Sequence, residues 1–173
     1  MRKILFESLL RRTYSEPPPE PGDAALKELG ERLDAVARRK LGRSLSIREV
    51  DAGSCNGCEL EIHALGNPIY NIEGLGIRFV ASPRHADLLL VTGPVSRHME
   101  VALRRTYEAT ADPKLVVAIG DCGCTGGVFG ENYASVGRVA NVIPVNVAVP
   151  GCPPSPNRIL AGILTAISPP GTK

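Results

Sequence analysis

Tryptophan is absent from this 173-residue chain, and three Phe and four Tyr bring the aromatic share to only 4%. Base-stacking platforms for single-stranded nucleic acid are built from such rings, so that class of function loses its main support. A clustered basic stripe is missing too: 20 basic residues against 18 acidic ones leave a formal net charge of +2, spread along the chain, and we expect no nucleic-acid partner. No stretch approaches the roughly 18 consecutive apolar residues that a membrane-spanning helix needs, so membrane association is expected to be peripheral or mediated by partners. The N-terminal run Ile4-Leu5-Phe6-Glu7-Ser8-Leu9-Leu10 is short, contains an acid and leads into Arg11 and Arg12, which is unlike a secretion signal with its small-residue cleavage site.

What is present is an ordinary globular composition, 43% hydrophobic and 22% charged, with enough length for one domain and one good core. Residues 1 to 14 alternate apolar Ile4, Leu5, Leu9 and Leu10 with basic Arg2, Lys3, Arg11 and Arg12, as a docking helix does; a frayed terminus is the other reading. Pro17-Pro18-Pro19-Glu20-Pro21 cannot continue a helix and acts as an extended spacer. We therefore divide the chain into a docking segment with linker, 1–22, and an α/β domain, 23–173.

Within that domain Leu26, Leu29, Leu33 and Val36 recur at helical spacing, with Asp23 placed to cap and Arg38, Arg39 and Lys40 before Gly42. The spacing then predicts strands at 46–50, 77–81, 87–92, 115–119 and 143–149. Helices are expected after Cys58, over 97–109 and over 156–167. Short apolar strands alternating with helices imply a parallel sheet covered on both faces, and no internal repeat interrupts the pattern. In such sheets the functional crevice lies at the carboxyl ends of the strands.

The cysteines fall at those ends: Cys55 and Cys58 after the first strand, Cys122 and Cys124 after the 115–119 strand, and Cys152 after the last. Five cysteines, an odd number, fit a reducing compartment, where thiols serve as metal ligands or redox groups more often than as disulfides. Cys55-Asn56-Gly57-Cys58 is by itself ambiguous between a redox pair, half a zinc site and an iron-sulfur loop. The other two cysteine loops add information. Gly120-Asp121-Cys122-Gly123-Cys124-Thr125-Gly126-Gly127 is glycine-rich, as expected where backbone N–H groups approach the sulfides of a bulky cluster, and Val149-Pro150-Gly151-Cys152-Pro153-Pro154 places Pro directly after a ligand. Zinc usually recruits two compact CxxC knuckles, and only one is here. Spacing thus favours iron-sulfur over zinc, and zinc over a dithiol redox site, and leaves all three open.

The segments Cys55 to Ile62, Ser82-Pro83-Arg84-His85-Ala86-Asp87, Gly120 to Gly127 and Val149 to Pro154, in this order, resemble the small subunits of energy-converting (group 4) NiFe hydrogenases of the formate hydrogenlyase and hydrogenase-4 type. The same superfamily includes the 20 kDa component of respiratory complex I. The resemblance covers about residues 45 to 168 and implies a flavodoxin-like fold with a single proximal 4Fe-4S cluster. It also implies the ligands: Cys55 and Cys58 from the first loop, Cys122 from the second and Cys152 from the third. Cys124 is left over, as a small buried side chain or a spare thiol.

The implied partners are a NiFe hydrogenase large subunit, a ferredoxin-like iron-sulfur subunit and membrane-anchor subunits, at the cytoplasmic face of the cell membrane. The nickel-iron site, which in this family takes four further thiolates, is expected on the large subunit and not here. Complex I members carry two adjacent cysteines in the first loop, whereas CxxC followed by Glu is the hydrogenase form; a subunit whose cluster reduces quinone is the alternative. No cysteine follows Cys152, so electrons are expected to pass to another subunit.

Glu59 and Glu61 follow a ligand at an expected helix start, where carboxylates are favoured by the dipole; the other reading makes either one a proton relay. Arg84 and His85 are expected to shape the turn before a strand or to contact another subunit, and His63 and His98 to pack or face solvent.

Overall fold

The computed structural model describes residues 28, 30–32, 35, 36, 39 and 42–168. The docking segment and proline spacer lie outside them, as do Leu26, Leu29 and Leu33. The described residues between 28 and 39 are helical, Val36 is packed against the core, and Gly42 follows with φ +67°.

Seven strands and four α-helices follow: β1 (Leu45–Asp51), α1 (Gly57–Ala64), β2 (Ile77–Phe79), β3 (Leu88–Thr92), β4 (Val95–Ser96), α2 (Arg97–Ala109), β5 (Leu115–Ile119), α3 (Gly120–Thr125), β6 (Ser135–Gly137), β7 (Val147–Val149) and α4 (Pro156–Ile167). Five of the strands form a parallel sheet in the order β2-β1-β3-β5-β7. Counted among themselves these strands run 2-1-3-4-5, the order of doubly wound, flavodoxin-like sheets. Both faces of the sheet are buried, as the strand composition requires. Along β3, Leu88 and Leu90 join Ile62 of α1, Leu65 just after it, and Ile159 and Ile163 of α4, while Leu89 and Val91 join Leu103 of α2 on the opposite face.

The helix bounds expected at 97–109 and 156–167 are those observed, because their start signals are local: Ser96 Oγ accepts the Met99 N–H at 3.3 Å, and Pro156 has no N–H to leave unpaired. Three expectations need correction. The last strand begins at Val147, not at 143, since Pro144 offers no donor and the Asn146 side chain takes the Val116 N–H at 2.8 Å. The second strand ends at Phe79 instead of 81, where the chain enters a short 3-10 turn over Pro83–His85. Arg84 and His85 form that turn, as expected. The glycine-rich segment after β5 is a short helix, α3, rather than a loop.

Asp87 locks the start of β3 to β1. Its Oδ2 accepts the Ser46 N–H at 3.0 Å, its own N–H donates to Ser46 O at 2.8 Å, and its Oδ1 accepts from Arg43 Nη2 at 2.7 Å. A carboxylate buried this far is tolerable because it is fully engaged. The small antiparallel pair β4–β6 lies beyond the carboxyl end of β3 and carries the chain around the edge where the cysteines gather.

Candidate metal centre at the carboxyl edge of the sheet

Cys55 leaves β1, Cys58 sits in the first turn of α1, Cys122 lies in α3 directly after β5, and Cys152 follows β7. All four border one cleft, together with Gly57, Gly93 and Asp121. Two backbone approaches make this convergence possible. A Cβ on Gly93, which has φ +74°, would stand 2.5 Å from Ser54 N, so the end of β3 lies against the Cys55 loop. A Cβ on Gly120, with φ +82°, would stand 2.6 Å from Cys58 Sγ and 3.5 Å from Gly151 O. At Gly93 the obstacle is backbone and only glycine fits; at Gly120 it is the end of the Cys58 side chain, which a methyl would push aside.

The thiols sense one another. Burial pushes Cys58 up to about 12, reinforced by the charge of Glu59 and then of Cys122, Cys55 and Cys152. Cys122 is also raised, by burial first and then by Cys152, Cys55 and Asp121. Four thiolates crowded in one cleft repel, and a cation or cationic cluster that binds them relieves that repulsion.

Cys124 belongs elsewhere. Two residues along a helical turn from Cys122, it packs against the α2-side core, and its Sγ donates to Ala118 O at 3.6 Å. Burial raises its thiol, the Val149 N–H opposes that, and no other cysteine contributes.

The donor set suits an iron-sulfur cluster. Thiolates are the ligands such clusters take, and the glycine positions leave room beside Cys58 and Cys122. The first turn of α1 has no side-chain cap, which leaves its N–H groups for acceptors near Cys55 and Cys58. Among the described residues, no three His, Cys, Asp or Glu side chains close around a single ion.

The two glutamates part company. Glu59 is 7% exposed, and neither of its carboxylate oxygens has a hydrogen-bond partner among the described residues; Glu61 is half-buried on the same helix. His63 lies in the last turn of α1 and His98 in the first turn of α2, and neither lines the thiol cleft. Sequence reasoning missed the Asp121 contacts with Gly151, and missed the exposed Val128, Phe129 and Tyr133 on the segment leaving α3. The GDC string was the available signal for the first; a short apolar run broken by glycines offered little for the second.

A larger cavity, about 390 Å³, opens away from the thiols between β1, α1 and the end of β2, lined by Arg48, Glu49, Ile62, His63 and Phe79 among others. Burial raises the Glu49 carboxyl, partly offset by His63.

The structure defines an α/β chain with a doubly wound strand order and a four-thiol edge, and comparison with known proteins names the family. Residues 55–166 match the family described as NADH ubiquinone oxidoreductase, 20 kDa subunit, and the chain belongs to it. It is 48% identical over 127 residues to a probable membrane-bound hydrogenase subunit of Pyrococcus furiosus, covering 73% of this chain and 76% of that one. It is 43% identical over 135 residues to formate hydrogenlyase subunit 7 of Escherichia coli, covering 78% of this chain but 53% of the relative, so it spans about half that protein's length. Its fold is similar to a chain in the structure of the membrane-bound sulfane sulfur reductase, an archaeal respiratory membrane complex, with TM-score 0.64 and 36% identity over 79% of this chain and 74% of the other. No described helix is long and apolar enough to cross a membrane.

Proposed function

We propose that this chain is the electron-transfer small subunit of a membrane-associated NiFe hydrogenase complex, holding one 4Fe-4S cluster on Cys55, Cys58, Cys122 and Cys152. The observation that carries the reading is the convergence of those four thiols, from three strand-end loops, on one cleft, in a chain related to hydrogenase subunits. When bound, the cluster supplies one-electron transfer. The chain's own residues fix its place: Gly93 and Gly120 let the loops close, and Asp121 joins two of them. Cys55 and Cys152 are exposed, so this edge is where a catalytic large subunit with nickel and iron would sit. The exposed Val128, Phe129 and Tyr133 beside the Cys122 turn are apolar surface suited to a protein partner. A ferredoxin-like subunit would exchange electrons with the complex, and membrane-anchor subunits would hold it at the cytoplasmic face.

In this reading the chain alone has no hydrogenase activity. After reconstitution with iron and sulfide, the isolated chain is expected to give a paramagnetic signal on reduction yet no hydrogen uptake with a redox dye. Uptake should appear only with the nickel-bearing partner. Turnover by the isolated, nickel-free chain would overturn the assignment.

A second reading, a complex I-type subunit whose cluster reduces quinone, draws on the 390 Å³ cavity, which has the size of small-molecule sites and carries apolar Ile62 and Phe79. Nickel analysis of the intact complex separates the two readings.

A further inference from the structure

Asp121 stands between Gly120 and the Cys122 ligand, and it is bonded twice to the loop that carries Cys152. Its N–H donates to Gly151 O at 2.8 Å, and its Oδ1 accepts the Gly151 N–H, also at 2.8 Å. The two bonds close a ring between residues adjacent to Cys122 and Cys152. Gly151 has φ +143°, and a Cβ there would come within 2.7 Å of Pro154 Cα, so the turn that carries Cys152 admits only glycine. Asp121 also lines the thiol cleft.

We infer that Asp121 is a positioning residue for the metal centre: its carboxylate clasps the Cys152 loop to the Cys122 turn and sets one fixed negative charge beside the cluster, holding its reduction potential down. The inference rests on the cluster reading above and deepens it. Bonded to the Gly151 N–H one residue before Cys152, and itself one residue before Cys122, the Asp121 carboxylate stands between two of the ligand-bearing turns at the thiol cleft. Asn would supply the same acceptor to Gly151 without a charge, so the clasp and the charge are separable roles of this one side chain. Adding an electron beside a fixed anion is disfavoured, so the oxidised state gains.

The test uses the full chain, reconstituted with iron and sulfide, and reads iron content and midpoint potential by redox titration with paramagnetic resonance. Asp121→Asn keeps an oxygen for the Gly151 N–H and removes the charge. It should hold iron at the wild-type ratio, with the redox equilibrium shifted about tenfold toward the reduced form, about 59 mV for one electron. Asp121→Ala loses both bond and charge and should hold several-fold less iron. An unchanged potential in the Asn variant overturns the charge role, and full iron in the Ala variant overturns the clasp. The Asn variant is nearly isosteric and decides the charge even where the Ala variant folds poorly. A wild-type chain that takes up no cluster would instead defeat the cluster reading itself, so the two failures are distinguishable.

Discussion

Replacing Gly120 by Ala gives the sharpest test of the site's geometry, because Gly130 supplies a matched control. Gly120 has φ +82° and Gly130 φ +56°, so in both an added methyl forces an L-residue into the left-handed region, at about 1–2 kcal/mol. They differ in what the methyl meets. Nothing lies within 4 Å of the Gly130 position, whereas at Gly120 the new carbon would be 2.6 Å from Cys58 Sγ. That sulfur is the free end of a rotatable side chain and can swing away at small cost. The two variants should therefore lose similar stability in thermal or denaturant unfolding. Swinging away, however, takes Cys58 out of the cleft. Iron bound after reconstitution should stay near the wild-type level for Gly130→Ala and fall sharply for Gly120→Ala. Equal iron in the two variants would refute the claim that Cys58 faces the shared cleft as a ligand.

Other expected outcomes follow from the same contacts. Cys124→Ser should retain iron while Cys122→Ser loses it, measured by metal analysis; the reverse result would exchange their roles. The Glu49 carboxyl is raised in the fold by burial, so the stability tied to its protonation is present below its ordinary value of 4.5 and is lost as pH rises through the raised one. Glu49→Gln should accordingly melt higher than wild type at about pH 7, with the two curves converging in acid; a constant gap at all pH values would count against this cause. Leu90→Ala, at a fully buried position on the central strand, should cost about 2–5 kcal/mol in denaturant unfolding, and a loss under about 1 kcal/mol would contradict the two-faced core.

Much of the architecture was legible along the chain because its signals are local. The runs Leu88-Leu89-Leu90-Val91 and Leu115-Val116-Val117 are apolar on both faces, which announces a buried parallel sheet, and Ser96 and Pro156 mark helix starts with their own chemistry. The pair β4–β6 was not legible: strands of two and three residues carry no period to read, and their pairing bridges about 40 residues of sequence. The start of β7 was misjudged because Asn146 replaces a backbone acceptor with its side chain, a substitution visible only when the neighbouring strand is in place.

Fold class, family and the three cysteine loops can be read along the chain alone, since hydrophobic periodicity and short motifs survive without knowledge of distant contacts. Which thiols share a cleft is a matter of packing. Cys122 and Cys124 are chemically identical and two positions apart, and at 3.6 residues per turn their side chains point about 200° from each other. Only packing α3 against β5 and β7 turns Cys122 toward Cys58 and Cys152 and sends Cys124 into the opposite core. The Asp121–Gly151 clasp has the same origin: it joins residues 30 apart in sequence, and no local pattern encodes a bond that exists only once two strand ends lie side by side.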